Sequence, residues 1–190
     1  MKPLLAPGLA LLLAAQAEAA GNDYLKLVYE GGVFQGVKDL PADRLMKGER
    51  GYLLTPNAYG GEWSVVLGSA AANTLTSKVH LSFAGNVKAL DTGAPTIGKL
   101  MARLSVTAAR SCFSMGTERL SALKSWVEES VKTGAGSDLN TERSFGPLRL
   151  QLLTKRTVEL AANGLAEVDV LLSRSGTPGA GGWTQVCGRG

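Results

Sequence analysis

In the segment 148–160 most even-numbered positions are apolar and most odd-numbered positions are polar. This alternation constrains the fold more than any other part of the sequence. Successive side chains of a strand point to opposite faces, so a period of two predicts a strand with one face against a core. Asn163-Gly164 then marks a turn into a second strand. The even-numbered positions of the segment are Leu148, Leu150, Leu152, Thr154, Arg156, Val158 and Leu160.

Two registers are open for the hairpin that follows. A two-residue turn would set Val158 against Asp169, an apolar residue against a charged one. A three-residue loop sets Val158 against Val168, which keeps one face of the hairpin apolar. It also places Glu159 opposite Glu167, a repulsion that solvent screens. We predict this second register, with Val168 buried and Glu167 exposed.

Two amphipathic helices are predicted in the middle of the chain. From Thr96 the apolar residues recur every three or four positions, which is the spacing of one helix face. Gly116 is expected to end the first helix in a left-handed conformation, and Thr117 to cap a second helix that stops at Gly134. The apolar stripes are Ile97, Leu100, Met101, Leu104, Ala108 and Cys112 in the first helix, and Leu120, Leu123, Val127 and Val131 in the second.

The region before the helices carries strand signals, and the fold class predicted is therefore α+β. Gly31-Gly32 and Gly85-Asn86 are expected to close tight hairpins. A polar connection is expected at 134–143, and one helical turn at 42–46. Antiparallel strands at both ends of the mature chain would pack against the central helix pair. The strands are predicted at 24–30, 33–37, 51–54, 62–68, 74–84 and 87–90.

Residues 1–19 have the organisation of a secretory signal peptide. Lys2 precedes an apolar run at 9–15, and Ala17-Glu18-Ala19 fits the small-x-small pattern of a cleavage site. The run is shorter than a membrane-spanning helix needs, so no transmembrane segment is expected after cleavage. The sequence therefore predicts a secreted or periplasmic protein, with a single α+β domain at 20–172. It leaves open whether the signal is cleaved or retained.

The chain has two cysteines, Cys112 and Cys187. In an exported protein two cysteines are most simply one disulfide, and the alternative is two free thiols. The bond would fasten a glycine-rich tail, residues 173–190, onto the first helix, with Trp183 docking against apolar surface. The entropy of the closed loop would contribute roughly 4.5 kcal/mol at most.

The charge and the motifs exclude few functions. The net charge is +4, but Lys and Arg are scattered without a run of three, so no nucleic-acid partner is expected. Lys99, Arg103 and Arg110 are expected on a solvated helix face, with contact to an anionic surface as the alternative. His80 is the single histidine, and we expect neither a metal nor another cofactor. We interpret His80 as a solvated surface residue; the alternative is a general base in a cleft.

A loop rich in glycine and aromatic residues, NAYGGEW, is the candidate binding loop. It contains Asn57, Tyr59, Glu62 and Trp63. Exposed aromatic rings on a loop can stack on sugars or on peptide side chains. The alternative, which we favour, is that these rings pack against the sheet.

The sequence contains no recognisable catalytic constellation, and the catalytic residues are unknown. We therefore expect a non-enzymatic protein that binds an envelope component or a partner protein. One alternative is a secreted hydrolase that uses carboxylates, with Glu62 as the first candidate, because a glycosidase needs only two carboxylates across a cleft. The other is a carrier, which would hold an apolar ligand in an enclosed cavity of several hundred cubic ångströms, the order of size typical of ligand sites.

Overall fold

A computed structural model describes residues 21–30, 32–56, 60–68, 75–157 and 164–188 of the chain. The predicted signal peptide at 1–19 and the loop residues Asn57 and Tyr59 lie outside these ranges. Helices and strands follow in the order α1 (Tyr24–Glu30), β1 (Phe34–Asp39), β2 (Glu49–Pro56), β3 (Glu62–Gly68), β4 (Lys78–Asn86), α2 (Val87–Ser111), α3 (Thr117–Gly134), β5 (Leu139–Phe145), β6 (Leu148–Thr157) and β7 (Leu165–Arg174). A short 3-10 helix at Ala42–Arg44 falls within the helical turn predicted at 42–46.

All seven strands form one antiparallel sheet in the order β1-β2-β3-β4-β7-β6-β5. The first four strands and the last three strands each form a meander of neighbours in sequence. The two meanders meet where β4 pairs with β7, from Lys78 opposite Ser173 to Asn86 opposite Leu165. The predicted α+β class is confirmed, with α2 and α3 packed together against the sheet.

The hydrophobic core lies between the sheet and the two long helices. The apolar stripe of α2 is buried along its length, from Ile97 to Cys112, and so are Leu123, Val127 and Val131 of α3. Val79, Leu81 and Phe83 share the buried parity of β4, as predicted. Gly98 lies where α2 and α3 approach closely, since a Cβ there would lie 3.3 Å from the carbonyl oxygen of Glu128.

Helix α2 begins nine residues before the predicted start at Thr96. The predicted strand at 87–90 is wrong, because Asn86 caps a helix instead of forming a tight turn: its side chain accepts a hydrogen bond of 2.6 Å from the Ala89 amide. Pro95 lies inside the helix, although an interior proline costs about 3 kcal/mol. The burial of Leu90 and Ala94 in the core offsets that cost.

The prediction of a strand at 24–30 is also wrong, since this segment is α1. The Asp23 carboxylate accepts a hydrogen bond from the Lys26 amide, which is the contact of a helix N-cap. Tyr24 and Val28, four residues apart, are the buried residues of the helix. The Tyr24 hydroxyl donates to the Leu104 carbonyl at 3.0 Å, and complete burial raises the pKa of this phenol well above its usual value.

Two local predictions around α3 need correction. Gly116 precedes the helix with an extended backbone, and the left-handed residue of this turn is Ser114, with φ of 52°. The polar connection predicted at 134–143 contains the beginning of β5, which pairs along its length with β6. Its residues are polar because β5 lies at the edge of the sheet, where most of its side chains reach solvent.

The predicted hairpin has the right faces but the wrong register. Val168 is buried and Glu167 is exposed, as predicted. However, Val168 pairs with Thr154, four positions from the predicted partner Val158. A shift of four preserves the alternation of faces, and it sets Lys155 opposite Glu167. The predicted turn lies largely outside the described residues.

The C-terminal tail is fastened as predicted, although β7 continues to Arg174 before the tail begins. Cys112 and Cys187 form a disulfide and are both buried. Trp183 is also buried, and its indole nitrogen donates to the Cys112 carbonyl at 2.7 Å. Asn22 joins the same cluster, because its amide donates to Val186 and its side chain to Ser111. Both ends of the described chain therefore meet at the disulfide.

Replacing both cysteines tests this closure. We expect the Cys112→Ala/Cys187→Ala variant to lose about 2–4 kcal/mol of unfolding free energy, because the unfolded chain gains the freedom of the opened loop. Urea denaturation of the oxidised mature protein and the variant measures the difference, with Thr184→Ala, at an exposed residue of the tail, as the control. A variant as stable as the parent would show that the tail does not depend on the bond.

Candidate functional site

The face of the sheet turned away from α2 and α3, which we call the open face, carries a polar centre between aliphatic residues. Along one row, Ser64, Ser82 and Asp169 are neighbours on β3, β4 and β7. The next row places His80 between Val66 and Leu171. The aliphatic residues of the open face that are half-buried are Leu53, Val66, Leu153 and Leu171.

His80 and Asp169 form the principal contact of the open face. The imidazole Nε2 lies 2.9 Å from Oδ1 of Asp169, and the two side chains are 43% and 20% exposed. The alternation of β4 directs His80 away from the core, as predicted. Its carboxylate partner was missed because it lies 89 residues further along the chain and is brought close only by the pairing of β4 with β7.

The electrostatics of the pair favour an ionised carboxylate. Burial by itself raises the pKa of Asp169, but hydrogen bonds from His80 and Ser82 and the positive charge of Lys155 outweigh it. The pKa of Asp169 is therefore lowered from its usual value. Asp169 stays charged at neutral pH and accepts both hydrogen bonds.

This arrangement orients an imidazole rather than activating a serine. In a Ser-His-Asp triad the serine hydroxyl bonds to the imidazole, which takes its proton. Here Ser82 bonds to Asp169, and Asp169 bonds to His80. With Nε2 engaged, Nδ1 is the ring nitrogen left to contact a ligand. The geometry holds a half-exposed imidazole in one orientation.

The candidate binding loop divides between the core and the surface. Trp63 is 1% exposed and packs against Phe34 and Phe83, with ring centroids 6.0 and 5.0 Å away. For Trp63 the packing alternative is confirmed, so its ring does not present a stacking surface. Glu62 is exposed, and its carboxylate forms an ion pair of 2.9 Å with Arg44.

The carrier alternative would require a large enclosed cavity, whereas the cavity beside α1 is small. It measures about 90 Å³ and lies between α1, β1 and α2, with Val28, Phe34 and Leu104 in its walls. Sites for small organic ligands usually measure roughly 300–1,000 Å³. This cavity therefore does not favour a carrier.

The basic residues of α2 are exposed, as predicted. Lys99 and Arg103 line a surface groove together with Lys124 and Glu128 of α3. Lys124 and Glu128 lie 3.9 Å apart as an exposed ion pair. Among the described residues there is no group of three or more His, Cys, Asp or Glu side chains placed to hold a metal ion.

Comparisons of the chain with protein-family models, with curated proteins and with solved structures found no match. Among the helices described, none has the length and apolar character to cross a membrane.

The pH dependence of stability tests the His80–Asp169 contact. Because the folded-state pKa of Asp169 is lowered, its contribution is present above the unfolded-state pKa and lost as pH falls through the folded value. We expect Asp169→Asn to reduce the unfolding free energy by about 1–2 kcal/mol at pH 7. Below about pH 4 the difference from the parent should shrink.

Chemical denaturation at pH values from about 3 to about 7, which include the range over which carboxylates titrate, measures the difference in unfolding free energy between the parent and Asp169→Asn. Asp43→Asn is the control, since it makes the same change at an exposed aspartate away from the open face. A destabilisation by Asp169→Asn that is equal at every pH would contradict an ionic role for Asp169.

Proposed function

We propose that the chain is an exported, non-enzymatic binding protein that recognises a partner protein of the cell envelope through the open face of its sheet. The observation that carries this proposal is the oriented His80–Asp169 pair, half-exposed between aliphatic residues. In a protein interface, a central patch is shielded from water and is surrounded by a polar rim.

The charges around the open face support binding rather than simple solvation. Lys155 lies opposite Glu167, Arg149 contacts Glu142, and Arg44 contacts Glu62. Each of these three cations lies beside an acidic residue, so we expect the aliphatic residues and the imidazole to gain most from contact with a partner. Burying half-exposed leucine side chains would contribute about 25 cal/mol for each Å² removed from water.

Export is supported by the disulfide. Disulfides persist in oxidising compartments such as the periplasm and the extracellular space, and are rare in the cytosol. Cys112 and Cys187 are paired, and the pattern of residues 1–19 is that of a secretory signal. We propose a secreted or periplasmic location on these two grounds.

A charge placed among the aliphatic residues tests the binding face. Immobilised mature protein is incubated with an envelope extract, and the affinity of each enriched protein is then measured with the purified pair. We expect Leu171→Lys and His80→Ala to weaken binding of the cognate partner by about tenfold or more, because each removes contact area or a hydrogen bond at the centre.

The matched control is Val106→Lys, which changes a half-buried aliphatic residue on α2 in the same way. It should leave the affinity within about twofold of the parent, as expected for a residue outside the interface. The proposal fails if no enriched protein depends on Leu171 and His80, or if Val106→Lys weakens binding equally.

A further inference from the structure

A polar groove opens at the end of the sheet where the turn between β5 and β6 meets the end of β7. It measures about 470 Å³. Three serines, two arginines and the turn at Gly146-Pro147 line it; the serines are Ser144, Ser173 and Ser175, and the arginines are Arg149 and Arg174. The groove therefore presents hydrogen-bond donors without a lining carboxylate.

The sheet register brings three of these donors into one row. Ser144 pairs with Arg149, and Arg149 pairs with Ser173. Residues directly opposite each other point to the same face, and neighbouring strands lie about 4.8 Å apart. Ser144 and Ser173 therefore lie on either side of Arg149 on the same face of the sheet. The Glu142 carboxylate contacts the Arg149 guanidinium and holds it in place.

Arg174 supplies a positive charge without an acidic partner. Its side chain leaves β7 on the helix side of the sheet, the face opposite to that of Arg149. There one of its nitrogens donates to the Phe113 carbonyl, and its guanidinium lies 5.0 Å from the centre of the Trp183 ring. Within the described part of the chain, no carboxylate lies within ion-pair distance of Arg174. Partial burial lowers the pKa of this guanidinium, with no acidic group acting on it.

Arg119 adds a third guanidinium at the mouth of the groove. Its Nη1 occupies the space where a Cβ at Gly146 would lie. Glu118, at 3.7 Å, is its acidic neighbour. Arg149 and Arg119 therefore each have an acidic neighbour, and within the described ranges Arg174 is the arginine of the groove lining without one.

We propose that this groove binds the phosphate group of a phosphorylated ligand. A phosphate oxyanion offers several acceptor oxygens, and guanidinium groups match it with paired N–H donors. Serine hydroxyls supply further donors without adding charge. The inference goes beyond the proposed partner binding and does not depend on it. The phosphate could be carried by a dissolved molecule or by a lipid headgroup, which share this chemistry.

Titration of the mature protein with inorganic phosphate and with glycerol 3-phosphate, followed by amide NMR, tests the dissolved source. We expect saturable shifts at Ser144, Arg149 and residues 173–175, with dissociation constants of about 1 mM or tighter. Flotation with phosphatidylglycerol vesicles, against phosphatidylcholine vesicles, tests the lipid source.

Arg149→Gln should weaken whichever binding is observed by about tenfold, because a charge-assisted contact is lost. Arg149→Lys should recover only part of it, since a lysine lacks the paired donors. Lys155→Gln is the matched control: it removes a cation from the same strand and the same face, six residues away, and should have less than about a twofold effect. An unchanged melting temperature for each variant separates loss of binding from loss of folding.

Binding that depends on Arg149, in either the NMR titration or the vesicle assay, supports the site. It also shows whether the phosphate belongs to a dissolved molecule or to a lipid headgroup. The proposal is overturned if neither phosphate up to about 20 mM nor anionic vesicles bind, since a site for phosphate should be occupied well below that concentration. It is equally overturned if Lys155→Gln weakens binding as much as Arg149→Gln, because the attraction would then be general surface charge.

Discussion

The pairing of β4 with β7 is the contact on which the rest of the structure depends. It joins two meanders that are separated along the chain by the α2–α3 pair. Joined in this way, they form a sheet wide enough to bury the apolar faces of both helices. The same pairing places Asp169 against His80, which makes one long-range contact the origin of both the core and the candidate site.

Local periodicity predicted which side chains are buried, but not what they pair with. The alternation at 148–154 and the stripe from Ile97 to Cys112 follow from strand and helix geometry, and both are confirmed. The hairpin register was wrong because every shift by an even number of residues leaves the same face apolar. What distinguishes the observed register is charge, since Lys155 faces Glu167 where the prediction set Glu159.

The sequence prediction missed helix signals outside the apolar stripes. It predicted the candidate site less completely than the fold. Asp23 and Asn86 are both N-caps, and each precedes a segment that its composition had marked as a strand. Helix α2 also continues through Pro95, nine residues longer at its N-terminal end than the spacing from Thr96 predicted. Trp63 could be predicted to pack against the sheet, whereas the His80–Asp169 pair could not be predicted, because no local pattern reports a contact across 89 residues.

Native-state hydrogen exchange of the mature protein, read by NMR, tests the dependence on β4 and β7 most directly. If their pairing holds the two meanders together, the hydrogen-bonded amides of both strands will exchange only through global unfolding. Their exchange free energy will then equal the unfolding free energy measured in urea. Exchange of β2 and β3 together with β4 at a lower free energy, while β6 and β7 stay protected, would show that the meanders are independent and would contradict this account.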